Sequence, residues 1–262
     1  MLIAITRQVS PAIDKCELTH LERQPIDVDV ARAQHHQYEA ALKSLGVDVH
    51  SLPAEADLPD SVFVEDIAIV VDEAAVITRP GVDSRKPETE SIAQALAPYR
   101  KLFYIQAPGT LDGGDVLTVR KDIYVGLSSR SNQAAIEQMG AFFAPFNYTV
   151  KGVKVSGCLH LKSAVTQVAA DTLLVNPAWV NKDNFPGMKF IEVEPSEAYA
   201  ANAVLIGSVV IYPSSYPKTH QRLEEAGIRL MTVDASELAK AEGALTCCSL
   251  IFRSVGAKSD RV

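Results

Sequence analysis

The sequence predicts an α/β ring of five hairpin–helix–strand modules, and three observations predict it. Short apolar runs pair across tight turns, then a helical stretch and another apolar run follow, and this order recurs about every 45 residues. The last copy opens at Cys247-Cys248, runs from Ser249 to Phe252, and lacks its return strand. The N-terminal run Leu2 to Arg7 (LIAITR) resembles the return strand of the first copy, Ala75 to Arg79 (AVITR). The first strand of the chain therefore completes the last module. A ring closed in this way hides its sheet edges and leaves a central axis. No low-complexity segment or linker interrupts the series, so residues 1–262 read as one domain.

Taken in order, Leu2 to Thr6 is a strand, and Arg7 to Pro25 is a polar, irregular segment that folds over something. A helix follows from Asp29 to Leu45, with Val30, Ala33, Tyr38, Ala41, Leu42 and Leu45 at helical spacing and Gly46 as its stop. Val47 to Leu52 alternates as a strand. Module one pairs Ile67–Val71 with Ala74–Thr78 across Asp72-Glu73, continues as a helix after Pro87 to about Ala97, and ends at Leu102–Ile105. Module two pairs Val116–Val119 with Ile123–Gly126 across Lys121-Asp122; Ser131 caps its helix and Tyr148–Lys151 is its last strand. Module three pairs Ser163–Val168 with Thr172–Val175 across Ala170-Asp171, has a poorly marked helix, and closes at Ile191–Val193. Module four pairs Val204–Ile206 with Val209–Ile211 across Gly207-Ser208, then runs as a helix from Lys218 to Ala226 and a strand from Arg229 to Val233.

Composition narrows the class. Hydrophobic residues make up 47% and charged residues 22%, enough apolar material for a core. The net charge is −7 with no run of Lys or Arg, which argues against nucleic acid and suits a cationic ligand. The N-terminal apolar run is too short for a signal peptide or a membrane span. Cys16, Cys158, Cys247 and Cys248 show neither CxxC spacing nor a disulfide framework, so a reducing, cytoplasmic compartment is expected.

Chemistry gathers at one phase of the repeat. The hairpins open with Asp60, Glu65 and Asp66, then Asp112 and Asp115, then His160, then Asn202, then Cys247 and Cys248. A lone cysteine is more often core filler than nucleophile, and Asp112-Gly113-Gly114-Asp115 alone reads as a turn. The other histidines (His20, His35, His36, His50, His220) sit on polar faces, loops or a strand edge and need no function. What raises the functional reading is coincidence: thiol, imidazole and carboxylates all meet at one end of the axis, the generalised triad. Adjacent buried carboxylates at Glu65 and Asp66 demand a cation. The set lacks a metal-ligand spacing such as HExxH, whereas a guanidinium offers a fork of donors. Arg85 and Arg130, just past the first two hairpins, suit a carboxylate at the ligand's other end. Together these describe arginine or a derivative.

FVEDIAIVVDEAAVITRPG, LDGGDVL, GLSSRSNQ, LHLKS and LTCCS, in this order, resemble the dimethylarginine dimethylaminohydrolases of the guanidino-group modifying superfamily. The resemblance runs from Leu2 to the final strand, and no helical insert of the arginine deiminase kind stands between Arg85 and Arg130. It implies a five-bladed α/β propeller. It implies Cys247 as nucleophile beside a non-catalytic Cys248, His160 as general acid/base, and Asp112, where some members carry Glu, as the carboxylate orienting it. Glu65 and Asp66 match residues around the guanidinium; Asp60, Arg85 and Arg130 match residues at the amino-acid end. Leu18 falls at a lid leucine, and Ala241 where a backbone carbonyl meets the substrate amino group.

The implied reaction is hydrolysis of asymmetric dimethylarginine or monomethylarginine to citrulline and dimethylamine or methylamine, through a covalent S-alkylthiouronium and without metal or organic cofactor. An arginine deiminase or related guanidine hydrolase is the alternative within the superfamily, and a non-catalytic arginine-binding protein the alternative outside it. The expected partner is a small molecule, with no nucleic acid and no membrane. A homodimer is compatible with the sequence, although no patch singles one out.

Overall fold

The computed structural model describes residues 1–254. The chain runs β1 (Leu2–Arg7), α1 (Val28–Ser44), β2 (Val47–Leu52), β3 (Ala68–Val70), β4 (Ala74–Ile77), α2 (Glu88–Leu96), β5 (Lys101–Tyr104), β6 (Val116–Val119), β7 (Asp122–Leu127), α3 (Gln133–Phe143), β8 (Thr149–Lys154), α4 (Leu161–Ala164), β9 (Val165–Ala169), β10 (Thr172–Val175), β11 (Lys189–Glu192), β12 (Val204–Ile206), β13 (Val209–Pro213), α5 (Pro217–Glu225), β14 (Arg229–Val233), α6 (Ser236–Ala239) and β15 (Leu250–Arg253). Among the described residues, no helix is long and apolar enough to cross a membrane.

The strands form five three-stranded sheets: β3-β4-β5, β6-β7-β8, β9-β10-β11, β12-β13-β14 and β15-β1-β2. In each, the first two strands pair antiparallel, as a hairpin in four sheets and across the chain's two ends in the fifth, and the third returns parallel to the second. A parallel return requires a crossover, which the helices supply in most blades. The fifth sheet closes as the sequence implies. Leu2 faces Arg253 and Ile5 faces Leu250, while the other edge of β1 sets Leu2 against Val47. The Ser254 amide also donates to the Met1 carbonyl at 2.8 Å. The architecture is a five-bladed α/β propeller.

The crossovers build the core. Each wedges its apolar face between two successive blades, so five clusters form around the ring. In α2, Ile92 and Leu96 pack on Ile3 and Ile5 of one blade and Ala75 and Ile77 of the next. Met139 and Phe143 of α3 fill the gap between Val76 and Val125. Leu223 of α5 lies between Leu174 and Tyr212, and Tyr38 and Leu42 of α1 lie with Ala4 and Ile211. Full burial of a side chain such as Phe143 contributes about 1.5–3 kcal/mol. The poorly marked helix of module three is absent. Only a 3-10 turn, Lys182–Asn184, stands there, and Val180 and Phe185 supply the wedge from irregular backbone.

Local details depart from expectation. In α1 the buried positions are Ala31, Gln34, His35, Tyr38, Glu39, Ala41 and Leu42, while Val30 and Ala33 are exposed. The inward face of the first turns is polar, because Gln34 donates to Asp234 and Ser236, and Glu39 accepts from Thr6 at 2.6 Å. His35, expected on a polar face, is buried 3.4 Å from Glu39. Burial alone would raise the Glu39 pKa, but donors from His35, Thr6 and Ser51 outweigh it and bring it to about 2. The cap of α3 is Asn132, which accepts from the Ala135 amide; Ser131 instead donates to Asp115 at 2.7 Å. The second hairpin turns at Arg120-Lys121, one residue early, with Arg120 in the left-handed region at φ 58°.

Because β1 is the central strand of its sheet, a chain lacking residues 1–7 loses both ladders at once. Such a chain is expected to show no cooperative thermal transition. Ile5→Ala, at a position 1% exposed, is expected to cost about 2–5 kcal/mol in urea denaturation.

Candidate active site

Short helical turns precede the first strand of several blades: Val64–Ile67, Gly113–Asp115, α4 and Thr246–Cys248. They deliver side chains to the axis at close quarters. A Cβ on Gly113 would lie 2.0 Å from the Glu65 carbonyl oxygen. One on Gly114 would lie 2.5 Å from His160 Nδ1 and 2.7 Å from Asp66 Oδ1. The two glycines of LDGGDVL are thus there for close approach, not merely for a turn.

His160 immediately precedes α4 and is 5% exposed. Its Nε2 lies 3.2 Å from Asp112 Oδ2, and its Nδ1 3.8 Å from Asp66 Oδ1. Asp112 is fully buried and held in turn: its Oδ1 accepts the Gly81 amide at 2.8 Å, and Arg130 Nη1 lies 3.6 Å from Oδ2. Burial alone would lower the His160 pKa. The charge of Asp66, the hydrogen bond to Asp112 and the charges of Asp115 and Asp112 outweigh burial and raise it to about 9. The imidazole is therefore a cation at neutral pH.

Asp66 accepts Arg85 Nη1 at 2.6 Å and the Gly114 amide at 2.9 Å. Burial opposes its ionisation, but His160 and Arg85 prevail and lower its pKa. Arg85 is occupied on several sides: Nε and Nη2 grip Glu88 at 3.1 and 2.9 Å, and Nη2 also reaches the carbonyls of Phe63 and Asp60. Burial pushes the Glu88 carboxyl up to about 7 despite that ion pair, with Asp60 and Asp66 adding to it.

Cys247 ends up with Asp60, Asp66, Arg85, Arg130, His160 and Ala241 around one cavity of about 20 Å³. Burial pushes its thiol up to about 12, with Asp66 and Glu65 adding to the shift. Cys248 is 1% exposed and donates to the Ala244 carbonyl at 3.4 Å, as a core residue does. Asp112 stands behind His160 and does not line the cavity.

Glu65, Asp115 and Leu18 are not among the residues lining this cavity. The oxygens of Glu65 take Lys162 Nζ at 2.5 Å and Thr246 Oγ1 at 2.7 Å, and it borders a separate cavity of about 260 Å³. Asp115 is fully buried and binds Ser128, Ser131 and the Leu161 amide, fastening α4 to the second blade. Leu18 is half-buried on the core cluster, while its neighbour Glu17 lines the Cys247 cavity and donates its amide to Asp60 at 3.1 Å. Sequence reasoning missed Glu88, Lys162 and Glu242. The first two carry a faint signal, since Glu88 stands three residues after Arg85 and Lys162 two after His160. Glu242 carries none.

A family model described as "N,N dimethylarginine dimethylhydrolase, eukaryotic" matches residues 7–185. The dimethylarginine dimethylaminohydrolase of Streptomyces coelicolor is 39% identical over 96% of this chain and 97% of its own. That of Pseudomonas aeruginosa is 36% identical over 92% and 94%. A solved structure of the Pseudomonas aeruginosa enzyme, a cysteine-to-serine mutant complexed with citrulline, superposes with a TM-score of 0.91 at 34% identity, over 95% of this chain and 98% of that one. The N-terminal domain of a cyanobacterial arginine dihydrolase shares the fold, with a TM-score of 0.85 at 20% identity over 95% and 97%. With the buried thiol, imidazole and carboxylates already in one cavity, these likenesses lead to one statement: the chain belongs to the dimethylarginine dimethylaminohydrolase family.

Proposed function

We propose that the whole chain acts as one catalytic unit that hydrolyses Nω-methylated arginine to citrulline and dimethylamine or methylamine. The observation that carries this reading is the His160 imidazole held between Asp112 and Asp66 on the wall of the Cys247 cavity. The family membership supports the substrate class. The ligand is a small molecule, and the reading calls on no nucleic acid, membrane or second copy of the chain. The four free cysteines support a reducing, cytoplasmic setting.

In this reading the guanidinium enters beside Asp66, and the Cys247 thiolate attacks its central carbon. The guanidinium is a poor electrophile, so it must be held rigidly while the leaving nitrogen gains a proton. His160, cationic at neutral pH, gives that proton to the departing dimethylamine or methylamine. An S-alkylthiouronium on Cys247 remains. The neutral His160 then takes a proton from water, the resulting hydroxide adds to the same carbon, and collapse expels the sulfur, which takes up the hydroxyl proton and is restored as the thiol as citrulline leaves. Asp112 keeps the imidazole oriented through both steps. Asp60 and Arg130 meet the amino and carboxylate groups, with Arg85 in the wall behind them and the Ala241 carbonyl as a further acceptor.

The thiol poses the difficulty, because burial and the nearby carboxylates hold it protonated in the empty site. A cation bound against the sulfur reverses that field, so substrate binding itself helps to form the nucleophile, the thiol proton passing to solvent.

The decisive assay is citrulline formation from asymmetric dimethylarginine, monomethylarginine and arginine. Both methylated substrates are expected to react, and activity on arginine alone would overturn the reading. Cys247→Ser is expected to lower kcat by at least about 10³-fold, and Cys248→Ser to leave most of it. Ultraviolet titration of the empty protein, with Cys247→Ser as the blank, is expected to show no Cys247 thiolate below about pH 9. A pKa well under 7 would exclude substrate-assisted ionisation. The alkaline limb of kcat/KM is expected near pH 9, where free His160 loses its proton. Asp112→Asn removes a stabilising negative charge, so it should move that limb to lower pH and reduce kcat by about 10²–10⁴-fold.

A further inference from the structure

The segment from Glu17 to Leu21 closes one side of the Cys247 cavity, through Glu17 in its lining and Thr19 bonded to the wall residue Arg130, and runs on to a neighbouring chamber lined by His20 and Leu21. At about 20 Å³ the Cys247 cavity offers space for little more than one water. An amino acid cannot enter until the segment moves away, so the contacts that keep it closed govern access to the thiol.

Four side chains hold the segment from the body of the ring, one of them Ser84, whose hydroxyl donates to Glu17 Oε1 at 2.7 Å. Asp60 accepts the Glu17 amide at 3.1 Å, and Arg130 Nη2 donates to Thr19 Oγ1 at 2.9 Å. Both belong to the cavity wall, where a ligand's own amino and carboxylate groups compete for them. Glu242 is different. Its carboxylate accepts the Thr19 amide on both oxygens at 3.0 Å, the Leu21 amide on Oε1 at 2.6 Å, and the His20 amide on that same oxygen. One side chain thus gathers three successive amides from a segment more than 220 residues away in sequence.

The backbone supports a special role. Glu242 sits at φ 56°, in the left-handed region that a side chain with a Cβ occupies only against a steric penalty. Its neighbours Ala241 and Gly243 line the Cys247 cavity with it. On its other side Glu242 borders an apolar chamber of about 210 Å³, together with His20, Leu21, Tyr199 and Tyr216. The carboxylate therefore stands where the segment, the cavity and the chamber meet.

We propose that Glu242 is a positioning residue, a latch whose carboxylate sets how long the Glu17–Leu21 segment stays closed over Cys247. It touches neither the reacting carbon nor the thiol in the proposed mechanism. It acts through the segment, and through the share of molecules that are closed it sets the apparent affinity for substrate. The inference rests on the functional reading only in taking Cys247 as the reacting group.

The test uses thiol access, which needs no turnover. The unliganded protein is treated with iodoacetamide, and alkylation of Cys247 is followed by tandem mass spectrometry of the tryptic peptide spanning residues 241–253. Glu242→Gly removes the carboxylate and relieves the left-handed backbone, and it is expected to speed alkylation about tenfold or more. Glu242→Gln, which keeps one acceptor oxygen, should react at a rate between the two. In steady state the glycine variant is expected to lower KM about five- to tenfold with kcat within about threefold of the parent, because more molecules are open to substrate. Alkylation at the parent rate in the glycine variant would overturn the latch, as would a fall in kcat with KM unchanged. If the glycine variant does not fold, the glutamine variant decides by the same measure: a faster rate supports the latch and the parent rate overturns it. Failure of the methylarginine reading would appear in the citrulline assay and leave the alkylation rates untouched.

Discussion

The carboxylate of Asp66 is the contact on which the centre of the ring depends. It takes the Arg85 guanidinium on one oxygen, and the Gly114 amide and the edge of His160 on the other. Those three groups come from the first blade, the second and the third. A buried cation without such a partner is costly, and so is a buried carboxylate without donors. Each blade therefore neutralises a charge that its neighbour introduces. Asp112 and Arg130 extend the network on one side of His160, while Glu88 extends it behind Arg85.

That network explains why a thiol in acidic surroundings suits this chemistry. The charges around Cys247 work against a free thiolate. The same charges favour a bound guanidinium, which brings the sulfur the positive neighbour it lacks. In the proposed mechanism nucleophile and electrophile are thus switched on by one event, and an empty site holds a comparatively inert sulfur.

Much of this organisation was legible because a repeat constrains distant positions together. Turn dipeptides such as Asp72-Glu73 and Gly207-Ser208 stand where the sequence puts them, and the likeness of LIAITR to AVITR revealed the closure. Cys247, His160, Asp60 and Asp66 share a phase of the repeat, and they share a cavity. What escaped was the pairing of side chains across the axis. Nothing local says that Glu65 turns to Lys162 and Thr246 or that Arg85 is already taken by Glu88. The inward polar stripe of α1 escaped for a related reason: Gln34 and Glu39 are satisfied by residues of other elements, so apolar periodicity points to the wrong face. In module three, Val180 and Phe185 fill the wedge without helical spacing, and no periodic signal announces them.

The β1–β15 ladder has a meaning for the chain's birth as well as for its shape. Residues 2–5 leave the ribosome early and pair with residues 250–253. At about 5–20 residues per second, the first strand waits roughly 12 to 50 s for its antiparallel partner. Contacts of such long sequence separation are slow to form. Cys247, the proposed nucleophile, lies just before that late strand. A nascent chain can therefore assemble four of its sheets, carboxylates and imidazole included, while still lacking the sulfur. On the proposed mechanism, reactivity toward guanidines then begins only once translation has passed the last blade, and a prematurely ended chain is both open at its seam and chemically silent.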